Sequence, residues 1–317
     1  MRKDKKRILR RVIQVGISSL IALGFIGLFV FVTQGRDIPL LETKGTIAHQ
    51  ERDLILLTFG LGLLVVVPVL GMLFAIAWKY RAGNKNAKYE PDMDGNKGLE
   101  ALWWGIPIII IIALAIITAI STHALDPYKP LDSKVEPVEV QVVALEWNWL
   151  FIYPEKGIAT LNYLNIPEDT PINFTITSDA PMNSFWVPAL GGQVYAMSGM
   201  STKLHLMADA VGSYNGSSAN ISGDGFADMT FKVNSLTETD FQAWLIKSAE
   251  STYSLSSGSY AELAKPSKDN GELTYALMDK ELYNEIIMKY MSHGSGSDEK
   301  TEEPHDDEHM NHDGMDM

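Results

Sequence analysis

Leu54 to Trp78 reads LILLTFGLGLLVVVPVLGMLFAIAW, and Leu102 to Ser121 reads LWWGIPIIIIIALAIITAIS. Neither stretch holds a charged residue, and about 20 apolar residues in a helix cross the hydrocarbon core of a bilayer. In a soluble fold, uncharged runs this long would need protein on every side, so both are read as membrane spans. A third run, Val12 to Val32 (VIQVGISSLIALGFIGLFVFV), follows the basic cluster MRKDKKRILRR. That arrangement suits a cleaved signal peptide as well as a retained anchor. The run is long for a signal, and no small-x-small cleavage pattern follows it in FVFVTQGRDIP, so retention is expected.

The charges orient the spans. Lys79, Arg81, Lys85, Lys88 and Lys97 crowd the segment between the second and third runs, and basic loops stay in the cytoplasm. Everything after His123 then lies on the outer face, whether or not the first run is retained. The 317 residues are 46% hydrophobic with a formal net charge of -13 and no cysteine. The acidic balance argues against nucleic acid as a partner. Without cysteine there are no disulfides, no Cys-zinc sites and no thiolate catalysis.

From Val138 the texture changes to short segments rich in β-branched and aromatic residues: VEVQVVALEWNW, INFTITS, SFWVPAL, KLHLMA and MTFKVN. Gly, Pro, Asn and Asp punctuate them, and this spacing predicts an antiparallel sandwich or barrel. Trp147, Trp149 and Tyr153 alternate as one strand face would, a packing pattern. Beyond Val233 the periodicity is helical. LTETDFQAWLIKSA puts Phe241, Trp244, Leu245 and Ser248 on one face behind a capping box of Thr237 and Asp240, and DKELYNEIIMKYMSH repeats Leu282, Ile286 and Tyr290. The tail GSGSDEKTEEPHDDEHMNHDGMDM is polar, acidic and aperiodic, which predicts disorder.

A helical hairpin followed by an outer β-sandwich resembles subunit II of the haem-copper respiratory oxidases. AWKYRAGNKNAKY after the second run, GLEALWWGIPI at the third, LEWNWLFIYPEKGIATLN in the sandwich and MNSFWVPALGGQVYAMSGM after it resemble that family's motifs in their order, across residues 43–293. Members that accept electrons from cytochrome c hold a binuclear copper centre in the sandwich. Its ligands come from a His before SFWVP, a C-S-E-x-C-G loop, and a downstream His and Met. Carried onto this sequence, the first His position is Asn183, the two Cys positions are Ser218 and Ser222, the Glu position is Asn220 and the second His position is Phe226. Only Met229 is kept. The stretch Gly212 to Met229, GSYNGSSANISGDGFADM, therefore reads as a metal loop without its donors. A copper pair needs soft bridging thiolates and imidazoles; serine hydroxyls and a phenyl ring supply neither.

The loss points to the quinol-oxidising branch, and WKYRA, FIYPEKGIAT and QVYAMSGM are most similar to the bo-type ubiquinol oxidases of bacteria. The resemblance implies a signal or anchor helix over 1–35, a transmembrane hairpin over 43–125, and a periplasmic cupredoxin-like domain lacking its copper site over 126–235. A helical extension over 236–293 and a His/Met-rich tail over 294–317 follow. It also implies a chain in the bacterial inner membrane that binds no cofactor and has no active site of its own. That chain would brace subunit I, which holds the haems and one copper, beside the other small membrane subunits and lipid, in a complex that takes ubiquinol and not cytochrome c. Because quinol-branch relatives often carry a lipobox Cys, a chain without cysteine fits a retained first helix.

Single residues carry open readings. Glu100, at the cytoplasmic edge of the third run, is either a solvated carboxylate at a helix start or a proton-uptake residue, as its motif implies in the family. His123 and His205 read as surface or satisfied histidines. His305, His309 and His312 in the tail could hold copper or zinc loosely, and a membrane-tethered copper-binding or oxidase-assembly protein is the rival function. Co-purification with a large haem-bearing subunit separates the two.

Overall fold

The computed structural model describes residues 40–81, 83–84, 95–268 and 270–291. The run Val12 to Val32 and the tail with His305, His309 and His312 lie outside the described residues. The two charge-free stretches are the bodies of long helices, α1 (Thr46–Lys79) and α2 (Lys97–Ala124), with mean hydropathy 2.6 and 2.5 over windows of which nothing is buried. Each keeps a proline inside, Pro68 and Pro107. Asn96 caps α2, its Oδ1 accepting from Gly98 N at 3.0 Å and Leu99 N at 3.2 Å, which satisfies two of the helix's orphan donors. At 34 residues, α1 is about 51 Å long against a hydrocarbon core of about 30 Å. Its first turns therefore stand clear of the bilayer.

Those turns are fastened to the sandwich. No side chain caps Gly45; instead Ala48 N donates to Leu190 O at 3.1 Å, Lys44 N to Ala189 O at 2.7 Å and Asp209 N to Lys44 O at 3.0 Å. His49 stands between Thr43 Oγ1 and Asp209 Oδ2, 2.6 Å from each. A Cβ on Gly45 would come within 2.8 Å of the carbonyls of Leu190 and Met207, so the close approach requires glycine there.

The outer domain is a sandwich of two sheets. The strands are β1 (Val138–Ala144), β2 (Trp149–Tyr153), β3 (Ile158–Leu161), β4 (Tyr163–Pro167), β5 (Ile172–Ser178), β6 (Asn183–Trp186), β7 (Val194–Ala196), β8 (Thr202–Leu206), β9 (Gly212–Ser218), β10 (Thr230–Leu236), β11 (Ser254–Leu255) and β12 (Leu273–Leu277). One sheet has the order β11-β12-β3-β2-β1-β5-β8 and the other β4-β10-β9-β6-β7. The sheets are mixed where the sequence predicts antiparallel pairing, because β1 runs parallel to β5 and β4 parallel to β10.

Every residue of β2 is buried, which requires cover on both faces. Trp149, Phe151 and Tyr153 point between the sheets, where Phe185 stacks on Phe231 at 5.2 Å. Leu150 and Ile152 point outward against Tyr260, Leu282, Tyr283 and Ile286. That outer cover comes from the C-terminal extension, from α4 (Ser257–Leu263) and α5 (Leu282–Met291), while its α3 (Glu238–Ala249) packs Trp244 and Leu245 against the inter-sheet core. The extension is more than helical: β11 and β12 join the larger sheet, β12 pairing with β3 from Leu273 opposite Leu161. Thr237 caps α3 by accepting from Asp240 N at 3.2 Å, and its hydroxyl donates to Asp240 Oδ2 at 2.8 Å.

Candidate functional site

The stretch Gly212 to Met229 opens as strand β9 rather than as loop, up to Ser218. A turn over 219–225 leads to a short 3-10 segment, Phe226–Asp228, before β10. Sheet pairing brings its end to β6: Phe185 faces Ser218 and Trp186 faces Ser217. As a result Ser218 Oγ donates to Asn183 Oδ1 at 2.7 Å, and Ser184 Oγ donates to Asn220 Oδ1 at 3.0 Å. Asn183 Nδ2 donates back to Pro181 O at 2.8 Å. Met229 is 1% exposed and its carbonyl accepts from Ser218 N at 3.1 Å. Asn183, Ser218, Asn220 and Met229 are thus drawn together. Phe226 reaches them through its carbonyl, which accepts from Met229 N. Ser222 is the exception, its Oγ buried without a hydrogen-bond partner.

The donor set decides what this cluster can do. It offers neutral amide and hydroxyl groups that satisfy one another, and a single thioether already packed in the core. No thiolate, imidazole or carboxylate belongs to it. These atoms do not fit a copper pair. They make a neutral polar seam that ties β6 to β9.

Trp147 packs against the same core as Trp149, but from a turn before β2 rather than from the strand. The β1–β2 connection turns at Leu145, whose N donates to Asn148 O at 2.9 Å, and Trp147 adopts a φ of 69°. Its ring then covers Gly223 and Gly225; a Cβ on Gly225 would lie 2.4 Å from the indole. Lys268 Nζ stands 5.2 Å from the same ring, within cation–π range. Tyr153 stays inside, donating to Asn165 O at 2.8 Å, and burial pushes its phenol well above the ordinary range.

Beside the seam, at the end of β5, lies a charged counterpart. Asp179 has a fully covered side chain. Its Oδ2 accepts from Tyr260 OH at 2.7 Å, and its Oδ1 from Tyr290 OH at 2.6 Å and Lys289 Nζ at 2.7 Å. Burial and the Asp179 carboxylate push the Tyr290 phenol up to about 12 and raise that of Tyr260 further. Sequence reading missed this corner, since its three donors lie 81, 110 and 111 positions from Asp179.

Glu100 sits in the first turn of α2 with its side chain exposed. His123 is also exposed, with Nδ1 2.8 Å from Ala119 O. His205 is neither a surface nor a fully satisfied histidine: it is 8% exposed, Nδ1 lies 2.7 Å from Asn173 Oδ1, and Nε2 has no partner. Burial lowers its pKa despite the nearby Glu139 charge, which keeps the ring neutral near pH 7.

Known proteins match the chain along its length. Residues 45–119 match the transmembrane domain of cytochrome c oxidase subunit II, 138–236 its periplasmic domain, and 250–294 the COX aromatic rich motif. The chain is 49% identical over 280 residues to cytochrome bo(3) ubiquinol oxidase subunit 2 of Pseudomonas putida, covering 88% of each. It is 50% identical over 260 residues to the protein of that name in Pseudomonas aeruginosa, covering 82% of this chain and 78% of the relative. With ubiquinol oxidase subunit 2 of Acetobacter aceti it shares 42% over 289 residues, 90% of this chain and 91% of that one. Two apolar spanning helices, a cupredoxin-like sandwich and these relatives agree, and the chain belongs to the ubiquinol oxidase subunit 2 family of the haem-copper oxidases.

Proposed function

We propose that this chain is the non-catalytic subunit 2 of a proton-pumping ubiquinol oxidase in the bacterial inner membrane, crossing it more than once, with the sandwich in the periplasm. The complex oxidises ubiquinol and reduces oxygen to water, with the haems and the oxygen-site copper in subunit I. This chain braces that subunit through α1 and α2, whose apolar surfaces find no cover among the described residues and pack in lipid against other helices. The other small membrane subunits complete the assembly, and the sandwich caps its outer face. Glu100, exposed at the start of α2, is the residue we assign to proton uptake from the cytoplasm.

The observation that carries the reading is the 2.7 Å hydrogen bond from Ser218 to Asn183. At the positions that the family's copper-bearing members use for metal, this chain has donors that cannot hold it, so cytochrome c has no copper here to reduce. The test is purification through a tag on this chain in mild detergent, followed by haem spectra, metal content and oxygen consumption. Haem, one copper per complex and turnover with ubiquinol alone are expected. Turnover with reduced cytochrome c and extra copper overturns the assignment, and a lone chain that gains copper makes it a tethered copper carrier. For Glu100, Glu100→Gln is expected to slow turnover while leaving the apparent affinity for quinol unchanged.

A further inference from the structure

A cavity of about 440 Å³ lies where α1, the segment after α2 and the edge of the larger sheet meet. Its charged lining is unbalanced: Glu51, Asp126 and Asp132 against Lys129. Two of its polar lining residues, His205 and Thr46, carry buried side-chain atoms with no hydrogen-bond partner, Nε2 and Oγ1. Leaving such an atom unpaired costs roughly 1–3 kcal/mol, so the chain holds two of them at some expense, one on α1 and one on β8.

The sheet register explains how His205 is prepared. Glu139 faces Asn173 across β1 and β5, and Asn173 faces His205 across β5 and β8. These three form one rung on the face turned away from the core, where Leu204 and Leu206 point the other way. Glu139 Oε1 accepts from Asn173 Nδ2 at 2.6 Å. That fixes the amide with Oδ1 toward His205 Nδ1, 2.7 Å away. The carboxylate orients the amide, the amide holds the imidazole proton on Nδ1, and Nε2 keeps its lone pair as an acceptor.

Depth narrows the occupant. The charge-free part of α1 begins at Leu54, and that of α2 ends at Ser121. Thr46 and Glu51 stand about 4–12 Å above the apolar run at 1.5 Å per residue, which is the level of the polar belt outside the hydrocarbon core. At that level the wall offers acceptors and negative charge, with one cation beside them. Among the described residues no three His, Cys, Asp or Glu side chains converge to hold a metal ion. An anionic headgroup would meet three carboxylates. A group with positive charge and N–H bonds to give, tied to a phosphate for Lys129, matches the lining on every count.

We propose that this cavity binds the headgroup of an aminophospholipid, its primary ammonium held by His205 and Glu51 and its phosphate by Lys129. The inference rests on reading α1 and α2 as membrane spans. Bound there, the lipid ties the sandwich to the bilayer surface at the point where α1 is already fastened to it.

The test uses the whole complex, purified through this chain and stripped of loosely held lipid. Native mass spectrometry then counts retained phospholipid, and the complex is challenged with vesicles of phosphatidylethanolamine, phosphatidylcholine or phosphatidylglycerol. Retention of phosphatidylethanolamine is expected, with phosphatidylcholine unable to replace it because its quaternary nitrogen has no N–H. Glu51→Gln, which keeps the shape and removes the charge, is expected to weaken retention roughly tenfold, the size of one charge-assisted hydrogen bond. Equal retention of phosphatidylcholine, or retention untouched by Glu51→Gln, overturns the proposal. So does carbodiimide coupling of Glu51 to a lysine of another subunit, which makes the occupant a protein side chain. Soluble phosphoethanolamine binding as tightly as the vesicles rejects the lipid as source. Haem content and quinol turnover on the same samples keep the two readings apart: an active haem complex indifferent to headgroup sinks only this one.

Discussion

Asp179 and Asn183 stand four positions apart, both buried at one end of the sandwich, yet they hold their surroundings by different physics. Around Asn183 the bonds are neutral and local to the smaller sheet, serine to amide. Around Asp179 three donors from the C-terminal extension converge on one covered carboxylate. A neutral pair gives little when made and costs about 1–3 kcal/mol when one buried partner is stranded, whereas hydrogen bonds to a buried charge cost more to lose. The extension therefore adds to its apolar packing and sheet pairing a charged contact that is costly to break. The end around Asn183 is closed by a neutral seam that loses less when one bond is broken.

The largest effect expected from this contrast is that of Asp179→Ala. It leaves the hydroxyls of Tyr260 and Tyr290 without their acceptor, while the Lys289 side chain is 57% exposed and its ammonium meets water. A loss of about 3 kcal/mol or more is expected, from two hydrogen bonds to a charged group at about 1.5 kcal/mol or more each. Urea unfolding of the purified chain, followed by near-UV circular dichroism, measures it. A loss no larger than that of a neutral pair would erase the distinction between the two ends.

Alkaline pH attacks the same corner without mutation. The folded-state pKa of Tyr290 is raised from 10.0 to about 12, by burial first and then by Asp179, and that of Tyr260 is raised in the same sense. A phenol whose pKa is raised on folding contributes stability that is complete below the unfolded value and disappears as pH rises through the folded one. Tyrosinate absorbance with limited proteolysis is expected to show the extension released between about pH 10 and 12. The neutral seam has no group that titrates there, so cleavage at 219–225 in the same window would contradict the comparison.

Ser218→Ala comes third. It strands Asn183 Oδ1, which is 1% exposed as a residue, and should cost about 1–3 kcal/mol. The bond from Ser184 to Asn220 remains, so β6 and β9 stay paired. Thermal unfolding of the variant beside Asp179→Ala places the two ends on one scale.

What the sequence made legible follows the range of each interaction. The spans are visible because a bilayer demands a long local pattern, and INFTITS is β5 to the residue because its alternation is local. Phe241, Ser248, Leu282 and Ile286 are buried on the helical faces that periodicity assigns. Where register across strands decides, residue patterns fall silent. β11 and β12 carry no strong β pattern of their own and exist by pairing with each other and with β3. VEVQVVALEWNW looks like one strand but breaks at Leu145, and Trp147 packs against the core from a turn rather than from a strand. The gathering of Asn183 with Ser218 spans 35 positions and was visible only through resemblance. No pattern links His49 to Asp209, 160 positions away, or makes His205 the end of a three-strand rung.

The smallest effect probes whether the extension is one unit. Thr237 accepts from Asp240 N at the start of α3, and losing such a cap costs about 1 kcal/mol. α3 is also held by Phe241, 1% exposed, and by Trp244 packed 5.4 Å from Tyr153. Thr237→Ala should therefore fray only the first turn, and faster hydrogen exchange is expected at Asp240 and Phe241. If α3 and α5 are independent, the amides of α5 keep their protection, because that helix is held by Leu282, Tyr283 and Ile286 in the outer core and by Asp179 through Lys289 and Tyr290, and not by α3. Faster exchange in α5 would mean that the cap and the buried carboxylate share one cooperative unit, and the contrast between the two ends would then belong to the whole extension rather than to a single residue.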